Sequence, residues 1–274
     1  MSRPSQLSAR LMMTNPSSKP VLVEHNNAVS CIRFNRPHML NSIDSAMASA
    51  FLEACEEIVQ RKQTRVLMLK GEGRCFMAGL DQQQFIDSPD SVEESVLEPM
   101  NKAMRLLGEL EVPVLASVHG PVAGAGLSIA LACDLVIAAH NSRFNFACLP
   151  TGSTSCQLGS SWHLPRLVGL HMAMEIALLS GSFNAQQALN IGLVNRVVPF
   201  HQLDCESQCV ANRLCQSTTP SLGRLKKLIR QSFGQSLEQQ LTDEQQALAS
   251  SIRTPELREQ VIKYKEKNPN LLKQ

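Results

Sequence analysis

Two glycine-rich turns hold the most chemically suggestive spacing in this 274-residue chain. One is Gly120-Pro-Val-Ala-Gly124-Ala-Gly126, followed at once by an apolar run from Leu127. The other is Gly73-Arg-Cys-Phe76-Met-Ala-Gly79-Leu-Asp81, which leads into Gln82. Glycine lets a ligand approach the backbone closely. Unpaired N–H groups at a helix N-terminus favour anions. The chemistry open to such turns is therefore stabilisation of negative charge. Three familiar uses of the first turn fail on residue identity. A dinucleotide fingerprint needs a third Gly where Ile129 stands. A phosphate loop needs Gly-Lys-Ser/Thr, which this turn lacks. A hydrolase elbow needs Gly-x-Ser-x-Gly, and Gly126-Leu-Ser128-Ile-Ala130 has no last Gly. Taken alone, the turn suits tight helix–strand packing equally well.

The elements around these turns predict how they are held. Residues 21–24 and 28–34 alternate in polarity and read as a hairpin around Asn26-Asn27. Ile43, Met47, Ala50, Phe51, Ala54, Ile58 and Val59 recur at helical spacing, with Ser42 as the expected N-cap. Arg65–Lys70, Pro113–Val118 and Leu135–Ala139 read as buried strands, and a helix is expected over 93–110. The alternation of strand and helix argues for an α/β fold with a largely parallel sheet. After residue 200 only helical segments follow, near 202–215, 221–233, 237–251 and 255–266. The organisation predicted is a flexible tail over 1–18, a core over 19–200 and a helical region over 201–274.

Composition excludes several function classes. The formal net charge is +2, which gives no basic excess for nucleic acid. Hydrophobic residues make up 43% and charged residues 18%, too apolar a balance for a disordered chain. No run of about 20 apolar residues would span a membrane. Nine Cys scattered through apolar segments suit free thiols in a reducing compartment. Cys205 and Cys209 lie four apart but have no companion ligand motif, so no metal site is expected. The first residues carry Arg3, Arg10 and Lys19 without an acid. They read as a tail on a cytoplasmic protein, with mitochondrial import as the alternative.

Four segments in order carry a specific resemblance. They are Asn35-Arg36-Pro37 with Asn41, Phe76 to Asp81, His119 to Asp134, and Ala185 to Val198. Together they are similar to the crotonase superfamily, the enoyl-CoA hydratase/isomerase family. The resemblance implies a spiral of ββα units followed by a helical trimerisation region, and a homotrimer or a hexamer built as a dimer of trimers. It implies an acyl-CoA thioester as ligand, with coenzyme A part of the substrate and no separate cofactor. By position, the backbone N–H groups of Leu80 and Ala125 would form an oxyanion hole, with Gly79, Gly124 and Gly126 allowing close approach. Met77, Ala78, Asp81 and Gln82 would lie against the adenine. Arg36 would meet CoA phosphates or, equally, form a surface ion pair.

The proton-transfer positions depart from the family pattern. The hydratases' two Glu fall here on Ser128 and Cys148. Ser is a weak base unaided, and no flanking cation lowers the Cys148 thiol. Gly-Pro-Val-Ala-Gly-Ala-Gly-Leu-Ser instead resembles the isomerase-like branch that includes ring-1,2-epoxyphenylacetyl-CoA isomerase. That branch places an Asp before an aromatic-x-Leu-Pro-Arg segment, and Gln157 stands in its place ahead of Trp162-His-Leu-Pro-Arg166. A Gln amide is neutral and shuttles no proton near pH 7. His163 is expected on the surface or in packing, and His119 as a support for loop backbone. Asp87, Asp90 and Glu94 are expected as solvated charges on a lid. An isomerase-like acyl-CoA enzyme is the first reading, and a non-catalytic acyl-CoA or acyl-carrier binding relative is the second.

Overall fold

The polarity alternation at the start of the chain does form a hairpin. Strands β1 (Val21–Asn26) and β2 (Val29–Phe34) pair antiparallel, and the turn puts Asn27 at φ 53°. Asn tolerates that left-handed conformation better than most residues. The computed structural model describes residues 19–146, 156–179, 181–217 and 219–267.

From β2 the chain crosses through helix α1 (Ser45–Gln60) to β3 (Val66–Gly71), which lies parallel to β2. Helices α2 (Gln82–Asp87) and α3 (Glu98–Glu109) lead to β4 (Val114–Val118). Next come the short strand β5 (Pro121–Ala123), helix α4 (Ala125–Ala132), and strands β6 (Leu135–Ala139) and β7 (Arg143–Asn145). Helices α5 (Ser160–Val168) and α6 (Leu170–Leu179) precede β8 (Ser182–Asn184), α7 (Ala185–Asn190) and β9 (Arg196–Val198). Four helices follow: α8 (Leu203–Leu214), α9 (Thr219–Gln231), α10 (Leu237–Ile252) and α11 (Pro255–Lys267).

Two sheets result. The larger runs β1-β2-β3-β4-β6-β9 and is parallel from β2 onward. The smaller runs β5-β7-β8. Alternate residues of a strand face opposite sides, and both sides of the larger sheet are covered. Ile32, Leu67, Leu69, Ala116 and Val136 face the main core with Met47 and Phe51 of α1 and Met100 of α3. Val29, Val66, Met68, Leu115 and Ile137 face Leu203, Val210 and Ala211 of α8. Coverage on both sides explains why these strands read as continuous apolar runs.

Three local expectations are corrected. Asp44, not Ser42, caps α1, its carboxylate accepting from Met47 N at 2.8 Å. Ile43 is extended because it bridges to Leu80, so the helix begins later. The helix expected over 93–110 is broken: a π-helical turn over Glu93–Leu97 precedes α3. Pro99 has no N–H to return to Ser95, which interrupts the regular ladder there. Strand β5 lies inside what the sequence reads as a glycine-rich turn.

Candidate functional site

The two glycine-rich turns meet. Segment 76–81 runs between two neighbours in a strand-like course. On one side Ile43 N donates to Gly79 O and Asp81 N donates to Ile43 O, both at 2.8 Å. On the other side Met77 N donates to Pro121 O and Ala123 N donates to Met77 O, at 3.3 and 2.9 Å. Since backbone groups alternate along an extended chain, the N–H of Leu80 faces the side of β5, where the chain has already turned into α4. Among the described residues no hydrogen-bond acceptor is found for Leu80 N or Ala125 N. Ala125 is the first residue of α4, so its N–H has no intrahelical partner.

Close contact between the turns depends on missing side chains. A Cβ on Gly126 would lie 2.5 Å from Met77 O, and one on Gly79 would lie 3.7 Å from Ala125 N. Gly79 and Gly124 have φ of 112° and 50°, a region side chains rarely enter. The result is two neighbouring N–H groups with no acceptor among the described residues, one at a helix start, which together can hold an oxygen carrying negative charge.

Buried polar groups brace this arrangement. Asn41 is fully buried, and its amide nitrogen donates to the carbonyls of Glu72, Cys75 and Phe76 at 2.9, 3.0 and 3.1 Å. Its carbonyl oxygen accepts from Arg36 N at 2.9 Å. The Arg36 guanidinium pairs with Asp44 at 2.9 Å and Asp81 at 3.3 Å, and donates to Ser42 O at 2.6 Å. Arg36 does form an ion pair, but with its side chain 15% exposed the pair is largely buried and not the surface one expected. Asp81 also caps α2 by accepting from Gln83 N at 3.1 Å. Gln84 accepts from Ser45 N at 2.9 Å, a tie that sequence reasoning missed because 39 residues separate the partners. Gln82 is exposed at the start of α2, beside half-buried Ala78 and buried Met77.

The geometry can be set beside known proteins. A family model described as Enoyl-CoA hydratase/isomerase matches residues 24–274. The chain belongs to this family, within the crotonase superfamily. It is 30% identical over 261 residues to 4-chlorobenzoyl coenzyme A dehalogenase-2 of an Arthrobacter species, covering 93% of this chain and 94% of that one. It is 32% identical over 249 residues to 1,2-epoxyphenylacetyl-CoA isomerase of Escherichia coli, covering 89% and 94%. Among solved structures, an enoyl-CoA hydratase from Polaromonas superposes with a TM-score of 0.85 at 26% identity, covering 90% and 97%. The fold is thus the crotonase fold, and the chain carries its helical C-terminal region.

The residues at the expected proton-transfer positions are placed unevenly. Ser128 is buried, and its hydroxyl donates to Gly124 O at 3.2 Å within its own helix. Gln157 lies beside the turn: its Nε2 is 3.6 Å from where a Cβ on Gly124 would stand. Its backbone is fixed by Gln157 N donating to Ser160 Oγ at 3.2 Å and by Ser160 N donating back to its carbonyl at 3.1 Å. Leu158 and Gly159, the next two residues, are both left-handed, with φ of 52° and 80°. Cys148 lies outside the described residues.

The other candidates sit elsewhere. His119 donates from Nε2 to Gly73 O at 2.9 Å, so it holds the loop backbone. His163 lines a cavity of about 410 Å³ with Leu131, Asp134, Lys226, Ile229 and Arg230, near the C-terminal end of α4 rather than at Ala125. Burial above all, with Arg230 and Arg166 nearby, lowers its pKa to about 4. It is neutral near pH 7. Asp87, Asp90 and Glu94 are all exposed. The thiols of Cys31 and Cys75 are pushed up to about 11, chiefly by burial. That makes them poor nucleophiles. Among the described residues no three His, Cys, Asp or Glu converge as a metal site, and no helix is long and apolar enough to cross a membrane.

Proposed function

We propose that this chain binds an acyl-CoA thioester and polarises its carbonyl with the N–H groups of Leu80 and Ala125. The supporting observation is the pair of adjacent, unpartnered backbone donors where the two turns meet. Enolisation of a thioester moves negative charge onto the carbonyl oxygen. One such donor typically stabilises that charge by about 2.7–4 kcal/mol. Met77, Ala78, Gly79, Asp81 and Gln82 would carry the nucleotide end, Gly124 would admit the acyl end, and Arg36 would act through Asp81. Gly126, expected to allow ligand approach, instead lets α4 pack against Met77.

Hydration of a C=C bond needs an acid and a base, and Ser128 and Gln157 offer neither. The reading kept is isomerase-like, through an enolate. It is supported by the resemblance of the 120–128 turn to the isomerase-like branch and by the 32% identity to 1,2-epoxyphenylacetyl-CoA isomerase. With Gln157 neutral, its proton carrier would be water. The hydroxyl of Ser128, committed to Gly124 O, also supports a second reading, a non-catalytic acyl-CoA binding protein. Calorimetric titration with butyryl-CoA tests the shared claim, and absence of binding at millimolar ligand would refute it. Deuterium exchange at the α and γ carbons of an enoyl-CoA separates the two readings. Exchange above the buffer rate marks the enzyme.

Assembly as a trimer, or a pair of trimers, fits exposed apolar residues on α6 of the core and on α10 of the helical region. Leu170, Met174 and Leu178 recur every fourth residue along α6, and Leu237, Leu241, Leu248 and Ile252 line α10, all more than half exposed. Such patches mark contact surfaces.

A further inference from the structure

The side-chain amide of Gln157 has no hydrogen-bond partner among the described residues, yet it stands against Gly124, one residue from the proposed donor Ala125. The polar side chains nearby are otherwise engaged. Ser128 bonds to Gly124 O, and Asp81 bonds to Gln83 N and Arg36. The turn that carries Gln157 is held at a conformational cost. Leu158 is buried, and its φ of 52° is a strained value for a side chain of its size. The strain fixes where the chain leaves Gln157 and enters α5.

We infer that Gln157 selects acyl thioesters bearing a second carbonyl at C3, that is, 3-oxoacyl-CoA substrates. The inference rests on the acyl-CoA reading above. With the thioester oxygen on Leu80 N and Ala125 N, the next acceptor along the acyl chain comes beside Gly124. There Gln157 Nε2 donates to it. A 1,3-dicarbonyl also resolves the absence of a strong base among the described groups. A C–H between two carbonyls is far more acidic than one beside a single carbonyl. Water or hydroxide can take the α proton. The electron pair of the C–H bond then spreads over both oxygens, one on the two backbone donors and one on the Gln157 amide. No net oxidation occurs, and the proton returns from solvent in the reverse step. Neutral donors suffice for such a substrate, whereas a simple enoyl or saturated thioester, far less acidic at its α or γ carbon, would exchange much more slowly without a carboxylate at position 157.

The test compares acetoacetyl-CoA with butyryl-CoA, which differ at C3. Wild type should bind acetoacetyl-CoA about tenfold more tightly, a difference appropriate to one amide hydrogen bond. It should also raise the ultraviolet absorbance of the bound enolate above that of free ligand at the same pH. In Gln157→Leu and the near-isosteric Gln157→Met, the preference should fall to about onefold and the enolate band should disappear. The readout is the ratio of the two affinities within each protein, with melting curves confirming the fold. Equal affinity of wild type for the two thioesters, or an undiminished enolate band in both variants, would overturn the inference and leave the acyl-CoA reading standing. Failure of both thioesters to bind would overturn the two together.

Discussion

Gly79 packs against the backbone nitrogen of Ala125: a Cβ on Gly79 would stand 3.7 Å from that atom and 3.3 Å from Ala123 O. The two turns are 46 residues apart in sequence when counted from Gly79 to Ala125. Their contact sets the N–H groups of Leu80 and Ala125, without an acceptor among the described residues, on neighbouring segments. Gly79→Ala should therefore do two things. Forcing a side chain to φ 112° should cost about 1–3 kcal/mol of stability. The displaced donors should weaken butyryl-CoA binding at least about tenfold, as for loss of one good hydrogen bond. Calorimetric melting and titration measure the two effects separately. Unchanged affinity in a folded variant would place the ligand elsewhere.

Arg36 is expected to act by positioning. Its guanidinium stands between Asp44 and Asp81, and all three side chains are largely buried. Arg36→Met would leave two carboxylates without their cation. Breaking a fully buried pair costs about 3–5 kcal/mol, and residual solvent contact should reduce that to about 2 kcal/mol here. For a domain of this size the melting temperature should fall by about 4–8 °C. Thioester affinity should fall as Asp81 loosens, and Arg36→Lys should restore part of it. A melting temperature unchanged in Arg36→Met would show that the pair contributes nothing to the site's framework.

His163 makes acid stability sensitive to a residue outside the proposed site. Its pKa is about 4 when folded against about 6.5 for a free imidazole, mainly because it is buried, then because Arg230 and Arg166 are near; Asp134 partly opposes them. The unfolded chain therefore binds more protons between those values. The stabilisation is fully present above about pH 6.5 and is lost as pH falls towards about 4. His163→Gln should flatten the dependence of the urea midpoint on pH across that window. The same acid slope in both proteins would contradict the burial argument.

Much of the framework is legible from spacing, because alternation and helical periodicity are strong over long elements. The parallel strands and the four late helices follow from it. The junction of the two turns is legible less directly. Strand β5 is three residues long, too short for a periodic signal, and it is the element that aligns Met77 with Val122. Capping by Asp44 depends on Ile43 being drawn into a bridge with Leu80, a tertiary contact that local propensity does not contain. Asn41 appears in the sequence as part of a motif, but its three carbonyl partners lie 31 to 35 residues away. The place of the Gln157 amide, unpartnered among the described residues, is visible only once its turn is set beside Gly124.

The central claim is that the thioester carbonyl rests on the N–H groups of Leu80 and Ala125. Ala125 is the first residue of α4, a position that tolerates proline, so Ala125→Pro removes the donor while keeping the helix. The direct measurement is the carbon-13 resonance of butyryl-CoA labelled at the thioester carbonyl, recorded free, on saturated wild type and on saturated Ala125→Pro. Polarisation by two donors should move the wild-type resonance downfield of the free ligand, and Ala125→Pro should reverse most of that shift. A bound resonance at the free position in wild type, or one equally shifted in the variant, would contradict the account.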